Sequence, residues 1–215
     1  MSRGKLIVLC GIDGSGKTSV INELVKKDKI YTDYIQMKHP PKAWYENQRI
    51  AAAYLDQPGE KISDAEELII THDLRKEEEK KEIIPLLRNN KNIIFHRYIF
   101  SLYAYHIGKE NYSLDYLSKF YADILLPDKV IYLKISIDEF YRRFQKKEQL
   151  SYQKEKKYVE NVMNCYETLA GLYNWSIIDT EKNDLNEVVR LVQKEIEQIV
   201  PTEDFYNLGK ELYKE

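Results

Sequence analysis

Residues 11–18 read Gly-Ile-Asp-Gly-Ser-Gly-Lys-Thr, which is the complete pattern G-x-x-x-x-G-K-[ST]. A mostly apolar run at 5–10 precedes it and suits a buried parallel strand, and apolar residues at helical spacing follow it at 20–25. Glycines let a backbone wrap closely around phosphate groups, and the N–H groups of such a loop and of a helix N-terminus bind anions. The order strand, loop, helix therefore predicts a phosphate-binding loop, the P-loop.

The same pattern assigns chemistry to individual side chains. Lys17 is expected to reach the β- and γ-phosphates of a nucleoside triphosphate, and the hydroxyl of Thr18 is expected to bind Mg²⁺. We therefore predict Mg²⁺ as a cofactor with Thr18 as its protein ligand. The predicted nucleotide-binding residues are Gly11, Asp13, Gly14, Ser15, Gly16, Lys17, Thr18 and Ser19.

Charge balance and cysteine content limit the partners and the location of the chain. The 215 residues include 33 Lys and Arg and 35 Asp and Glu, a net charge of -2, which gives no reason to expect binding to nucleic acid or to membranes. Cys10 and Cys165 form no disulfide framework, which fits a reducing compartment. No apolar stretch approaches the ~18 residues that span a bilayer. A strand begins by residue 5, which leaves no room for a signal peptide. These features predict a cytoplasmic protein.

Apolar runs and helical patterns alternate along the chain. The predicted strands lie at 5–10, 33–37, 91–95, 129–135 and 175–179. Strands that alternate with helices predict an α/β, three-layer P-loop NTPase fold with a five-stranded parallel sheet flanked by helices. We expect one P-loop domain of nucleotide-kinase size at 1–200, with a lid at about 142–157, and a helical or mobile tail at 201–215.

Two helical segments lie between the second and third predicted strands. Residues 44–55 have a helical pattern that ends before the helix-breaking sequence Gln-Pro-Gly. Ser63 and Glu66 have the spacing of a capping box, which opens a long helix at 64–89 with an interruption at Pro85. The middle of this helix, residues 75–82, is a run of charges that indicates a solvated face.

Several segments after the P-loop follow one another in a characteristic order. Residues 67–75 are similar to a helix that ends in a base-contacting arginine. Residues 96–105, His-Arg-Tyr-Ile-Phe-Ser-Leu-Tyr-Ala-Tyr, are similar to the pattern D-R-Y-x-x-S-x-x-A-Y. Residues 127–166 hold Pro-Asp, a strand, a basic segment, and then an aromatic residue, a valine and a tyrosine at matching spacing. With an acidic residue inside the P-loop, the chain resembles the thymidylate kinases over residues 4–200. These are P-loop kinases that phosphorylate dTMP to dTDP.

The resemblance implies ATP as the phosphate donor, a deoxypyrimidine monophosphate as the acceptor, and a homodimer. Arg97 follows a core strand at its carboxyl end, where α/β sites form, and is a candidate to bridge the two phosphates. By resemblance, Asp13 would accept a hydrogen bond from the 3′-hydroxyl of the acceptor, Tyr105 would pack on the sugar, and Arg75 would hold a base carbonyl. The implied acceptor-binding residues are Asp13, Lys38, Lys42, Thr71, Arg75, Arg97, Ser101, Tyr105 and Tyr166.

Basic residues complete the expected site. Lys38 and Lys42 flank a double proline in the loop after the second strand, where similar enzymes place an arginine on the acceptor phosphate. The P-loop has Gly14 where one subgroup has arginine, and such enzymes supply the catalytic cation from a basic lid. The basic residues of this lid are Arg142, Arg143, Lys146 and Lys147. The predicted catalytic residues are Lys17, Arg97, Arg143 and Lys147.

Three positions depart from the family pattern. His96 stands in place of an aspartate, and imidazole is a poor ligand for Mg²⁺, which prefers oxygen. Cys10 stands where an acidic residue often precedes the loop, and we interpret it as an inert packing residue. Thr71 replaces an aromatic residue that stacks on thymine. A deoxypyrimidine with a polar 5-substituent, such as 5-hydroxymethyl-dUMP, could therefore fit beside Thr71 and His72.

Two other functions remain open at this point. A nucleoside kinase of the related P-loop group would need a carboxylate base near the sugar 5′-hydroxyl, for which only His96 offers a substitute. A nucleotide-binding regulatory protein without catalysis would account for the two missing carboxylates, although the intact P-loop and Arg97 argue against it. The base of the acceptor, the role of the tail and the oligomeric state are also open.

Overall fold

The structure is a computed structural model that describes residues 3–27, 34–38, 62–145 and 156–200. Several predictions lie outside the described residues. They are the helix at 44–55, Lys42, most of the lid with Lys146 and Lys147, and the tail at 201–215.

Five strands form one sheet. They are β1 (Leu6–Cys10), β2 (Ile35–Lys38), β3 (Ile93–His96), β4 (Lys129–Lys134) and β5 (Ser176–Asp179). Their order across the sheet is β2-β3-β1-β4-β5, and every neighbouring pair is parallel. The predicted α/β fold with a five-stranded parallel sheet is confirmed, and each strand begins and ends within two residues of its predicted bounds.

The central strand, β1, is buried on both faces. Leu6, Val8 and Cys10 point into the larger apolar core, while Ile7 and Leu9 point into the smaller one. This is the two-residue alternation of a strand covered on both sides. β3 lies on one side of β1 and β4 on the other. In α/β folds a crevice at the carboxyl ends of such strands binds ligands, so a site is expected there.

Eight α-helices accompany the sheet within the described ranges. They are α1 (Lys17–Lys27), α2 (Asp64–Glu78), α3 (Ile84–Arg88), α4 (Ile99–Gly108), α5 (Leu114–Phe120), α6 (Ile137–Gln145), α7 (Lys156–Leu172) and α8 (Leu185–Glu197). α1 and α8 supply Leu24 and Val192 to the smaller core, and α4 and α7 supply Ala104 and Val162 to the larger one. None of these helices is long and apolar enough to cross a membrane.

The long helix predicted at 64–89 is present but broken. It opens with the predicted capping box: the Ser63 hydroxyl accepts from the Glu66 N–H at 3.3 Å, and the Glu66 carboxylate accepts from the Ser63 N–H at 2.9 Å. α2 continues into a π-helical turn at Glu79–Ile83, and α3 then begins with Pro85 in its first turn. Proline lacks an N–H to donate and crowds the preceding turn, which accounts for the break at the predicted place.

The interpretation of residues 75–82 as a solvated face is wrong for two of its members. Arg75 is fully buried and forms an ion pair with Glu78. Its guanidinium lies over the rings of Phe95 and Tyr98, 5.1 and 4.8 Å from their centroids. Glu79 is also buried and accepts a hydrogen bond from the Tyr98 hydroxyl at 3.3 Å. Charged side chains can be buried where each meets a partner, and the charge pattern alone does not show this.

Candidate active site

The P-loop joins β1 to α1 and owes its shape to glycine. Gly11, Gly14 and Gly16 have φ angles of 136°, 78° and 93°, which residues with side chains rarely adopt. Space is also restricted at Gly11, because an added Cβ would lie 2.5 Å from the carbonyl oxygen of Leu133. Glycine at this position therefore lets the loop pass close to β4 as it turns.

Lys17 begins α1 and is buried inside the loop. Its Nζ donates hydrogen bonds to the Ile12 carbonyl at 2.7 Å and to the Ser15 hydroxyl at 3.1 Å. Burial and the nearby guanidinium of Arg97 lower the pKa of Lys17 well below its ordinary value. A phosphate group bound here would oppose that shift, because an anion stabilises the protonated amine.

Five of the predicted acceptor residues meet beside the loop. Arg97 forms an ion pair with Asp13 and donates a hydrogen bond to the Tyr166 hydroxyl at 3.3 Å. The Tyr105 hydroxyl donates to the other oxygen of Asp13 at 3.1 Å, and the Tyr166 hydroxyl donates to Ser101 Oγ at 2.8 Å. The P-loop, the end of β3, α4 and α7 each supply part of this group. We call these five residues the Arg97 network.

The backbone at Arg97 is unusual. Its φ of 71° lies in the left-handed region, which is uncommon for a residue with a side chain and recurs at functional sites. Its N–H donates to the Leu9 carbonyl at 2.9 Å, so the turn stays attached to β1. Burial alone would lower the pKa of Arg97, but Tyr105, Tyr166 and Asp13 raise it, so the side chain remains a cation.

His96, which stands in place of the expected aspartate, contacts the predicted metal ligand. Its Nε2 lies 2.9 Å from Oγ1 of Thr18. Burial, with help from Lys17 and Arg97, lowers the pKa of His96 to about 4, so the imidazole is neutral near pH 7. A neutral ring nitrogen can accept a hydrogen bond from the Thr18 hydroxyl, which leaves the lone pairs of that oxygen for a cation. Residue type alone indicated only a poor metal ligand and gave no sign of this contact.

Arg143, predicted as a lid cation, contacts the P-loop. From α6 its Nη1 donates to the Gly14 carbonyl at 2.8 Å, and its Nη2 donates to the Thr180 carbonyl at 2.8 Å. Glu139 accepts from Nε of Arg143 at 2.5 Å, and the Thr180 hydroxyl donates to the Ser15 carbonyl at 3.1 Å. Neither Glu139 nor Thr180 was predicted. The available signal for Thr180 was its position directly after β5, at the carboxyl edge of the sheet.

The remaining predicted residues lie around this centre. Lys38 ends β2, is exposed, and pairs with His96 in the parallel register at the same edge of the sheet. Thr71 and Arg75 are buried one turn apart on α2, where Arg75 takes part in the ion pair described above. Ser19 is exposed in the first turn of α1. The contacts therefore join the P-loop, His96, Arg143 and the Arg97 network into one site.

The two cysteines are buried free thiols. Burial raises the pKa of both Cys10 and Cys165 to about 12, although Lys17 and Arg97 partly oppose this at Cys10. The thiolate is the reactive form of cysteine, so both side chains are chemically inert near neutral pH. The interpretation of Cys10 as a packing residue is confirmed.

Phosphoryl transfer requires cations on the transferring group and a fixed acceptor, with little covalent chemistry from the protein. Lys17, Arg97 and Arg143 approach the P-loop from α1, the end of β3 and α6, which meets that requirement. Fold and site together are those of a P-loop phosphotransferase that acts on nucleotides.

Comparison with known proteins shows to which family of P-loop phosphotransferases the chain is similar. The family model described as "Thymidylate kinase" matches residues 9–192. The chain is 28% identical over 198 residues to a thymidylate kinase of Prochlorococcus marinus (strain MIT 9301). This alignment covers 84% of this chain and 90% of that protein. It is 30% identical over 141 residues to a thymidylate kinase of Mycoplasmopsis agalactiae (strain NCTC 10123 / CIP 59.7 / PG2). That match covers 62% of this chain and 65% of the relative, slightly less than two thirds of its length.

Two solved structures share the fold. The thymidylate kinase from Ehrlichia chaffeensis superposes with a TM-score of 0.67 at 22% identity, covering 91% of this chain and all of that one. The thymidylate kinase from Candida albicans superposes with a TM-score of 0.71 at 19% identity, covering 92% of each chain. The architecture therefore persists where the sequences have largely diverged.

Because the family model matches most of its length, the chain belongs to the thymidylate kinase family. It is an ATP-using phosphotransferase, and its reaction is the phosphorylation of dTMP to dTDP. The nucleoside kinase and the non-catalytic regulatory protein, the two alternatives that the sequence left open, are not supported.

Proposed function

We propose that the P-loop and the Arg97 network form one active site, in which a phosphate oxygen of dTMP attacks the γ-phosphorus of ATP. The main support for this proposal is the ion pair between Asp13 and Arg97. Asp13 belongs to the P-loop, which would bind the donor phosphates, and Arg97 would bind the acceptor phosphate. The attack forms one phosphorus–oxygen bond and breaks the bond to the oxygen that leaves with ADP. No protein nucleophile takes part.

On this proposal the donor phosphates lie against the loop N–H groups and Lys17. The amine of Lys17 would exchange its hydrogen bonds to Ile12 and Ser15 for bonds to phosphate oxygens. Arg143 already contacts the Gly14 carbonyl, so a small movement of its side chain would bring a second cation to the transferring group. Glu139 keeps that guanidinium oriented. Lys147, the other lid cation of the predicted catalytic set, stays a prediction.

The chemistry of the site also fits Mg²⁺, with Thr18 as its protein ligand. Mg²⁺ retains several waters and takes few protein ligands beside substrate phosphates, and the Thr18 side chain is exposed at the start of α1. Bound there, Mg²⁺ would neutralise part of the negative charge on the donor phosphates. His96 would accept the hydrogen of the Thr18 hydroxyl and so fix the direction of its lone pairs.

For the acceptor, Arg97 would exchange Asp13 for the phosphate of dTMP. Asp13 would then accept a hydrogen bond from the 3′-hydroxyl, with Tyr105 still bonded to its second oxygen. The ring of Tyr105, whose centroid lies 5.2 Å from the guanidinium carbon of Arg97, would pack on the sugar and disfavour a 2′-hydroxyl. Tyr166 accepts a hydrogen bond from Arg97 and is itself held by Ser101.

The base would lie toward α2, on the side of the site that holds the buried residues Thr71 and Arg75. Loss of a stacking aromatic at Thr71 removes roughly 1 kcal/mol of base selection. We therefore propose that the chain accepts 5-hydroxymethyl-dUMP as well as dTMP, with Lys38 and Lys42 near the acceptor phosphate. We also propose that it acts in the cytoplasm, and that it is a homodimer, as its resemblance to the thymidylate kinases implies. Its charge balance gives no reason to expect nucleic-acid or membrane partners.

A coupled ADP-release assay tests the proposal. ATP and Mg²⁺ would be supplied with dTMP, dUMP, 5-hydroxymethyl-dUMP, dCMP, UMP or thymidine, and Lys17→Met would provide the background rate. We expect turnover on dTMP and 5-hydroxymethyl-dUMP, no turnover on UMP or thymidine, and dependence on Mg²⁺. Much lower efficiency on 5-hydroxymethyl-dUMP than on dTMP would refute the proposed role of Thr71. ADP release that does not rise when dTMP is added would refute the shared site.

A further inference from the structure

A second polar cluster lies at the junction of α2 and α4. Asp64 and Glu67 are one turn apart at the start of α2, and His106 is in the last turn of α4. One ligand atom from each side chain, a carboxylate oxygen or a ring nitrogen, lies within 4.8 Å of the other two. His106 Nε2 and Glu67 Oε2 are 3.6 Å apart. His106 thus faces α2, whereas its neighbour Tyr105 faces Asp13.

Two of these side chains are buried with unsatisfied polar atoms. Glu67 is 3% exposed and His106 is 1% exposed. Within the described ranges, neither ring nitrogen of His106 nor Oε1 of Glu67 has a hydrogen-bond partner. Buried polar groups are hydrogen-bonded in the great majority of cases. Because the unsatisfied atoms are of the types that bind metals, they point to a cation as the missing partner.

We propose that Asp64, Glu67 and His106 bind a divalent transition-metal ion of the zinc type. One imidazole and two carboxylates suit Zn²⁺ better than Mg²⁺ or Ca²⁺, which take oxygen ligands. Around a tetrahedral ion with bonds of about 2.1 Å, neighbouring ligand atoms are about 3.4 Å apart. The spacing of Glu67 and His106 is close to that value, and Asp64, which is partly exposed, completes the set by a side-chain rotation.

Lys109 currently supplies positive charge to this cluster. Its Nζ lies 3.2 Å from Asp64 and 3.8 Å from Glu67, and Asn111 donates to Asp64 at 2.6 Å. The Lys109 side chain is 37% exposed, so it can turn toward solvent when an ion takes its place. Burial and the charge of Lys109 keep the pKa of His106 low, at about 4, and the neutral ring is the form that binds metals.

The proposed ion would join the two helices that carry much of the acceptor site. α2 holds Thr71 and Arg75, while α4 holds Ser101 and Tyr105. Occupancy would therefore fix the distance between the base side and the sugar side of the pocket. This consequence rests on the proposed function, but the metal site itself does not.

Metal titration of the full chain, freed of metals with a chelator, tests the site. Zn²⁺ binding would be followed by calorimetry and thermal unfolding, and Co²⁺ by its visible absorption, all without nucleotide so that the P-loop lacks phosphate ligands. We expect one ion per chain and a Zn²⁺-dependent rise in Tm. His106→Gln and Glu67→Gln should weaken binding by more than roughly tenfold, the loss that even outer-shell residues cause. Asp64→Asn changes a partly exposed residue and should weaken binding without disturbing the fold.

Two further variants test whether the ion binds at this cluster. Lys109→Met removes the competing amine and should tighten Zn²⁺ binding. His72→Gln is the matched control, because His72 also contacts carboxylates, Asp123 at 2.8 Å and Asp73 at 3.2 Å, and it should retain binding. Absence of Zn²⁺ and Co²⁺ binding would overturn the proposal. So would binding that survives in His106→Gln and Asp64→Asn, or an equal loss in His72→Gln.

Discussion

Replacement of Arg97 by methionine should remove most of the catalysis and leave the fold nearly unchanged. The side chain is 10% exposed, and a long apolar side chain can occupy much the same space. Its partner Asp13 is 53% exposed, so the carboxylate left behind regains water at little cost. Tyr166 retains its hydrogen bond to Ser101. From these contacts we expect a loss of unfolding free energy of about 1 kcal/mol.

The catalytic effect should be far larger. A guanidinium that stabilises the transferring phosphoryl group accelerates the reaction by on the order of 10³-fold or more. That factor corresponds to about 4 kcal/mol in the activation barrier. Because Lys17 and the loop N–H groups remain, ATP binding should change little, so the loss should appear in kcat and in KM for dTMP.

Steady-state kinetics with each substrate varied in turn, together with urea unfolding, separates these effects. Arg190→Met is the matched control, since Arg190 also pairs with a carboxylate, Glu187, but lies exposed on α8. Arg97→Lys should recover only part of the rate, because an ammonium lacks the planar fork of arginine. A folded Arg97→Met enzyme that loses less than about tenfold in kcat/KM for dTMP would refute the reasoning.

Three further measurements probe the surroundings of the site. Gly11→Ala should lower the free energy of unfolding, measured by urea unfolding, by roughly 1–3 kcal/mol, since the φ of 136° and the Leu133 carbonyl both oppose a Cβ. The control Gly171→Ala should not lower it, because no atom of the described residues lies within 4 Å of the added Cβ. Because the pKa of His96 is about 4 in the folded chain and 6.5 ordinarily, the unfolded chain binds more protons between these values. Stability should therefore fall as pH drops through that window, by about 1–3 kcal/mol from His96, and His96→Gln should remove this part but leave the part due to His106, whose pKa is also about 4. Cys10, with a pKa near 12, should resist iodoacetamide at pH 8 until urea unfolds the chain.

The sequence predicted the parts of this protein that depend on local patterns. Gly11, Gly14 and Gly16 have a spacing that few functions other than phosphate binding require. Short apolar runs between helical patterns located all five strands. The clearest run marks β1, because a central parallel strand is buried on both faces. Ser63 and Glu66 marked a helix start through contacts only three residues apart, and these are present as predicted.

Contacts between distant segments were harder to predict. Burial of Arg75 depends on the rings of Phe95 and Tyr98, which come from another part of the chain. The hydrogen bond between His96 and Thr18 joins residues 78 positions apart, and the local sequence around neither residue predicts it. Arg97 was predicted as a site residue because its position at a strand end has chemical meaning in any α/β fold. The roles of these side chains toward substrates remain predictions.

On the proposed function, the ion pair of Asp13 and Arg97 would make acceptor binding an exchange of one anion for another. A buried guanidinium without a counter-ion would bind any phosphate tightly and release it slowly. In this exchange, the net binding free energy would be the difference between the Arg97–phosphate pair and the Arg97–Asp13 pair. A phosphate dianion can replace the carboxylate of Asp13, whereas a neutral molecule cannot. The same carboxylate can reclaim the guanidinium once the product has formed. On this proposal, Asp13 would favour product release by restoring its ion pair with Arg97, so the guanidinium would stay paired between reaction cycles.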